Sequence, residues 1–306
     1  MVNINYSIII PHKNIPNLLQ RCLNSIPRRN DIQVIVVDDN SDENKVDFKH
    51  FPGLENPYIE VYFSKEGKGA GYARNVGLEH AKGKWLLFAD ADDYFTDNMS
   101  FILDKYIDTS YDIIYFKIES VYCDTLLPSN RGDLINKMIE NAYATKDFDP
   151  LKYQRLEPWA KIIRRNLIVE NKINFDETRA ANDLMFSVKA ANTAREVSVD
   201  LTPLYCLTSR YGSLAHTIDR DVCEAKFSVV LRLNSFLYNN NKVQYRPNIF
   251  HHVVQFYYID KKLMIERFVD AFKGGVLFYT LYDFFYYCGH MLKNLFKKKN
   301  PLMKIS

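Results

Sequence analysis

Residues Phe88 to Phe95 read FADADDYF, three aspartates in four positions directly behind the apolar run Trp85 to Ala89. Like charges this close repel one another, so something at that place must offset the repulsion. One reading is local: Asp90, Asp92 and Asp93 accept hydrogen bonds from free backbone N–H groups in a turn or at a helix N-cap. A second acidic pair, Asp38-Asp39, closes the apolar run VIVV in the same manner. A third stretch, GKGAGYARNVG, follows a strand pattern and opens a helical one, as a dinucleotide-binding fingerprint does. Its spacing fails, because the last glycine position is Tyr72 counted from Gly67 and Arg74 counted from Gly69. Gly67-Lys68 is followed by Gly69 rather than Ser or Thr, so a phosphate-binding Walker loop is absent too. The glycines still mark a flexible loop near a ligand. His80 and His251-His252 have no carboxylate or cysteine at ligand spacing and read as packing or surface residues.

The elements that must position these groups alternate. Tyr6 to Ile10, Gln33 to Val37, Ile59 to Phe63 and Trp85 to Ala89 read as strands, with helical spacing at Leu18, Leu19, Cys22, Leu23 and Ile26 behind Pro16, and again from Ala70 to Ala81. This order implies an α/β fold with a mostly parallel sheet and helices on both faces. Continuous apolar runs such as VIVV and WLLF fit strands buried on both sides, and ligands of such sheets bind at the carboxyl ends of the strands. Both acidic clusters stand at such ends, which puts two sets of carboxylates on one rim. Asp112 to Tyr122 is a further strand, LLPSNRGD a loop, Trp159 to Val169 and Asn182 to Ala191 helices, and Val197 to Leu207 a β-rich stretch. Amphipathic helices follow, with the main boundary near Asp219.

At 306 residues the chain is long enough for one large domain with an appendage. A net charge of +3 is too small to argue for a nucleic-acid partner. Cys22, Cys123, Cys206, Cys223 and Cys288 are odd in number and form no CxxC pair, which points to a reducing cytosol rather than disulfides or zinc. The start, MVNINYSIII, lacks the features of a signal peptide. Near the other end, GGVLFYTLYDFFYYCGHMLKNLFKKK is interrupted by Asp283 and His290, leaving no run of roughly 18 uncharged apolar residues to span a membrane.

In this order, IIIPHKN, VIVVDDNSD, GKGAGYARNVGL and FADADD resemble the successive motifs of family 2 glycosyltransferases with the GT-A fold. PWAKIIRRNLI and FDETRAANDLMF resemble that family's acceptor-side motifs and SRYGSLAH a later segment, so the resemblance covers about residues 4–216. It implies that Asp39 meets the nucleotide base with Pro11 lining that pocket, that Asp90 faces the ribose and phosphate side, and that Asp92 ligates a divalent cation, Mn²⁺ or Mg²⁺. It further implies Asp183 as catalytic base and Arg74 and Asn75 closing the donor site from below; should Asp183 not carry the proton, Glu177 is the next candidate. Hard cations are held by one or two carboxylates together with substrate phosphate oxygens, which is why crowded aspartates suit a pyrophosphate donor. His12-Lys13 stands where the family usually has an aromatic residue, so Lys13 or Lys68 is expected to reach a phosphate. Asn182 stands where an acid is often found. Trp159 fits an acceptor-stacking residue or a core residue equally, and Arg164-Arg165 reads as a solvated helix face.

The resulting expectation is an inverting, metal-dependent glycosyltransferase. It would move a sugar from a UDP-sugar to a glycan acceptor, lipid-linked, in capsule, O-antigen or exopolysaccharide assembly. Residues 1–218 would form the GT-A domain and 219–306 a helical region with a basic amphipathic tail. Val276, Leu277, Tyr279, Phe284, Phe285, Tyr287 and Leu292, with Lys293, Lys297, Lys298 and Lys299, would rest on the inner face of the cell membrane. The protein's own body or a second copy of the chain, as a homo-oligomer, is the other surface this tail could meet. A catalytically silent sugar-nucleotide-binding or scaffold subunit is the alternative reading.

Overall fold

Strand β1 (Tyr6–His12) and strand β2 (Ile32–Asp39) are buried at every position. Side chains of a strand alternate between faces, so two separate cores result. Ile8, Ile10, Val34, Val36, Trp85 and Leu87 pack on one side of the sheet, and Ile9, Ile35, Val37, Leu86 and Phe88 on the other. The computed structural model describes residues 3–209, 219–274, 279–286 and 288. The chain divides into two compact units, Met1–Ser213 and Leu214–Ser306.

In the first unit, β1 leads into α1 (Pro16–Asn24), β2, β3 (Ile59–Ser64), α2 (Ala70–His80) and β4 (Trp85–Phe88). These four strands lie in the order β3-β2-β1-β4, all parallel, with Ile9 opposite Ile35 and Phe88. The chain continues through β5 (Tyr94–Phe95), α3 (Met99–Tyr106), β6 (Ile113–Tyr122), α4 (Asp133–Thr145), α5 (Asp149–Gln154), β7 (Lys161–Arg164), α6 (Arg165–Glu170), α7 (Leu184–Thr193) and β8 (Val197–Ser209). Strand β7 inserts antiparallel between β4 and β6, while β6 and β8 are parallel and β5 joins β8 antiparallel.

The segment expected to be helical from Trp159 to Val169 is therefore strand first and helix after. Ile162 and Ile163 fill opposite faces of the sheet, a role that the short apolar run does not distinguish from a helix turn. Arg164 lies in that strand rather than on a solvated helix, donating to the carbonyls of Thr109 (3.0 Å) and Tyr111 (2.7 Å).

In the second unit, α8 (Arg220–Asn239) starts at Asp219, whose carboxylate accepts from the Val222 N–H at 2.9 Å. Then come α9 (Phe250–Val253) and α10 (Lys261–Gly274). Phe250, Phe268, Phe272 and Phe284 gather, with Phe250 at 5.5 Å from the rings of both Phe268 and Phe284. Asp283, which interrupts the apolar tail in sequence, faces inward: it is 5 % exposed and lies 2.6 Å from Arg246. Leu281, Tyr282, Phe285 and Tyr286 face outward. Among the described residues no helix is long and apolar enough to cross a membrane. Val276, Leu277, Tyr287, Leu292 and the lysines after them lie outside the described residues.

Candidate active site

The carboxyl ends of β1, β2 and β4 carry the residues singled out by sequence. The pair Asp38-Asp39, within β2, splits its work by strand alternation. Asp38 turns into the α1-side core, where its carboxylate bonds His12 Nδ1 (2.8 Å), the Ser41 N–H (2.9 Å) and the Ser41 hydroxyl (2.5 Å). Burial opposes its ionisation, but these bonds prevail and hold it below the usual carboxylate range. His12 Nε2 accepts from the Ile15 N–H at 3.1 Å, so Nδ1 carries the proton donated to Asp38. His12 is thus a buried structural pair-maker. Asp39 turns the other way: both its oxygens accept from the Gly69 N–H (3.1 and 3.0 Å), and Lys13 Nζ lies at 3.2 Å. Gly69 has φ +95°, a conformation that favours glycine, and precedes the first residue of α2. Pro11 is buried in the β1 ladder opposite Val37, and Lys68 is half-exposed, 3.3 Å from Glu66.

The FADADD loop is held by strand β8. The Tyr205 hydroxyl donates to Asp93 (2.9 Å) and accepts from the Asp90 N–H (2.9 Å). The Thr208 N–H donates to the other Asp93 oxygen (2.7 Å) and its hydroxyl to the Asp92 carbonyl (2.7 Å), which also accepts from Arg21 (2.5 Å). Trp159, 6 % exposed, stacks on the Tyr205 ring at 5.3 Å and so belongs to the core. Burial, joined by the charges of Asp90 and Asp92, keeps the Asp93 carboxyl well above its ordinary range. The local turn reading covers little of this: Asn98, not an aspartate of the cluster, stands at the N-cap of α3.

Arg74, on α2, joins this loop to the segment before α7. It is 5 % exposed and donates to Asp90 (2.5 Å) and to the Asn182 side chain (2.8 Å). Asn75 makes a two-way clamp on the Phe175 backbone, donating to its carbonyl (3.0 Å) and accepting from its N–H (2.8 Å). A Cβ on Gly71 would stand 1.9 Å from the Asp176 carbonyl oxygen, so glycine is what lets that segment lie against α2. Asp183 occupies the N-cap position of α7 yet makes no capping bond with its side chain. Burial pushes its carboxyl up to about 6; Arg74 pulls the other way, and the charges of Glu157 and Asp90 add to the rise.

The sequence singles out Pro11, Asp39, Lys68, Arg74, Asp90, Asp92 and Asp183, of which Arg74 and Asp90 are in direct contact. Sequence reading missed Tyr205, Thr208 and Arg21, which hold the acidic loop from distant strand and helix positions without a local motif. A cavity of about 860 Å³ lies elsewhere in the unit, beside Arg28, Phe51 and Tyr58, and contains none of these carboxylates; the site is assigned on its side-chain chemistry. No group of three or more His, Cys, Asp or Glu side chains that could hold a metal occurs among the described residues.

The sequence model of glycosyl transferase family 2 matches residues 7–169, more than half of the chain. The chain belongs to this family. It is a glycosyltransferase with a GT-A fold. It is 28% identical over 236 residues to the poly(ribitol-phosphate) beta-N-acetylglucosaminyltransferase TarS of Staphylococcus aureus, an alignment covering 74% of this chain and 39% of TarS. The crystal structure of S. aureus TarS 1-349 in complex with UDP-GlcNAc superposes with a TM-score of 0.65 at 24% identity, covering 83% of this chain and 73% of that one. The mannosyltransferase PcManGT from Pyrobaculum calidifontis, in complex with GDP-Man and Mn²⁺, superposes at 0.57 with 16% identity, covering 90% and 77%. At such identities the superpositions show the fold.

The Tyr205 hydroxyl generates a direct expectation. Tyr205→Phe leaves a buried carboxyl and a buried N–H short of a partner, and should lower stability by about 1–3 kcal/mol. Chemical denaturation measures this, and a change below about 0.5 kcal/mol would show that the hydroxyl does not clamp the loop.

Proposed function

We propose that this glycosyltransferase transfers a sugar from a UDP-sugar to a hydroxyl of a glycan acceptor, with inversion at the anomeric carbon and with a divalent cation. The observation that carries the reading is the Arg74 bridge, which ties the acidic loop at the end of β4 to the segment presenting Asp183. TarS, a relative by sequence, has been crystallised with UDP-GlcNAc, which supports a uridine nucleotide as donor.

Carboxylates are the ligand type that a hard divalent cation takes together with substrate phosphate oxygens, and Asp90 and Asp92 supply two of them. Burial first, and then the charges of Asp90 and Asp92, raise the Asp93 carboxyl, and a divalent ion beside Asp92 would offset the like charge of that loop. When bound, such an ion stabilises negative charge on the departing diphosphate without proton transfer. Asp92 would hold it, its backbone fixed by Thr208 and Arg21. The buried Arg74 guanidinium holds Asp90 in place, and Asp39 offers an acceptor to an N–H on the base. Asp183 takes the proton of the attacking hydroxyl, and a carboxyl raised toward neutrality suits that exchange better than an ordinary aspartate.

Residues 1–218 constitute the catalytic domain in this reading, and 219–306 bring it to the inner face of the cell membrane, where a lipid-linked glycan of a surface polysaccharide would be extended. Support comes from the outward face of helical residues 279–286, where Phe285 is 68 %, Tyr286 59 % and Tyr282 58 % exposed. Aromatic side chains of this kind settle at lipid headgroups, and Lys293, Lys297, Lys298 and Lys299 follow in sequence.

Three outcomes follow. Asp92→Ala should abolish the Mn²⁺-dependent part of UDP binding by calorimetry with the fold retained; equal affinity with Mn²⁺ present would remove Asp92 from the cation site. Asp183→Asn should lower turnover by about 10² to 10⁴-fold at unchanged UDP affinity, and in the unsubstituted enzyme activity should fall as pH drops through about 6, where Asp183 takes up a proton. A variant keeping more than about a tenth of turnover would move the base elsewhere. Replacing Tyr282, Phe285 and Tyr286 together by serine should reduce co-sedimentation with phosphatidylglycerol vesicles. Unchanged sedimentation would sink the membrane role, and a dimer lost instead would point to a second copy.

A further inference from the structure

Lys13 stands beside the carboxylate that the donor reading gives to the base. Strand β1 ends at His12, paired in register with Asp38 of β2, and the next residue along each, Lys13 and Asp39, bring their side chains together at 3.2 Å. The two pairs differ in surroundings. His12 and Asp38 are buried, whereas the Lys13 side chain is 48 % exposed and that of Asp39 3 %. Asp39 is fixed from behind by the Gly69 N–H, which reaches both its oxygens. Lys13 therefore covers a carboxylate otherwise held by backbone. The lysine end of the pair is half in water, so the ammonium can leave Asp39 for another acceptor while the carboxylate stays held by Gly69.

The result is one anchored acceptor with one movable cationic donor at its side. Uracil presents a matching edge: an N–H at N3 flanked by carbonyl oxygens at C2 and C4. We propose that Lys13 is a base-reading residue, its ammonium moving from Asp39 to a carbonyl of uracil as the N3–H takes its place on the Asp39 carboxylate. Asp39 exchanges one hydrogen-bond donor for another, and the ammonium keeps an acceptor throughout. The aromatic stacking that His12 cannot supply, being held in the core by Asp38 and Ile15, is replaced by this polar contact.

The proposal rests on the uridine-donor reading, and the test separates the two. Wild-type protein and Lys13→Met are titrated with uridine and with UDP plus Mn²⁺, by ligand-observed NMR and calorimetry. A base contact predicts that both ligands weaken by a similar factor, on the order of tenfold for a charge-assisted hydrogen bond. The melting temperature is followed in parallel, since Lys13→Met also removes the cation beside the buried Asp39 carboxylate; the Gly69 N–H still holds Asp39, so the folded protein should persist for the titrations. Weakening of UDP with uridine unaffected would make Lys13 a phosphate contact and overturn the proposal. So would no change in either. Guanine also has an N–H next to a carbonyl, so GDP competes in the same assay; tighter binding of GDP than UDP to the wild type would overturn the donor reading itself and the uracil assignment with it.

Discussion

The Arg74 guanidinium lies almost entirely out of water with one arm on Asp90 and the other on Asn182. A buried cation depends on the acceptors its donors find, here one each for Nη1 and Nη2 but none for Nε, and losing either partner leaves the charge uncompensated. This requirement fixes three segments at once: the start of α2, the loop after β4 and the approach to α7. Asn75 repeats the tie one residue on through the Phe175 backbone, and the Phe175 ring packs under the guanidinium at 5.3 Å and against Phe186 of α7 at 3.8 Å. An apolar floor below and two polar arms above leave α7, with Asp183 at its start, few other places to sit. Asn182 contributes a neutral oxygen here; a second carboxylate would add charge beside Asp183 and Asp90.

Much of this was legible in the sequence where the signal is local. The runs behind Tyr6, Gln33 and Trp85 pack on both faces, and that double burial makes a parallel strand read as an unbroken apolar stretch, whereas edge strand β3 is only partly buried. The rim position of Asp39 and Asp90 follows from the same runs, because each aspartate closes one. What was not legible depends on distance along the chain. Strand β7 is four residues long and becomes a strand by pairing with β4 and β6. Helices α4 and α5 fill a stretch whose clearest sequence feature was a polar loop. The grip of Tyr205 and Thr208 on the acidic loop spans more than a hundred residues. Asp283 was read as an interruption of an apolar tail, yet its inward pairing with Arg246 leaves the outer face of that helix continuous.

The acidic loop also shows how a site can carry more like charge than its surroundings would otherwise allow. Asp90 is compensated by Arg74, and Asp93 is held by neutral donors, the Tyr205 hydroxyl and the Thr208 N–H, in a place where burial favours its protonated form. Asp90 and Asp93 are thus each held by partners from distant parts of the fold. Asp92 stands between them with its backbone carbonyl pinned by Thr208 and Arg21, so its position is set by neighbours rather than by its own charge. Crowding that would be unfavourable in an isolated turn is distributed here: one charge neutralised by a cation, one suppressed by burial, one kept at the rim. The same division operates at the end of β2, where Asp38 is consumed by His12 and Ser41 so that Asp39, one residue on and on the opposite face, can be presented from a rigid base. In both clusters a structural aspartate fixes the backbone that aims its neighbour. At the end of β2 the alternation of the strand turns Asp38 and Asp39 to opposite faces, whereas in the turn after β4 the division is imposed from outside, by Arg74 on Asp90 and by Tyr205 and Thr208 on Asp93.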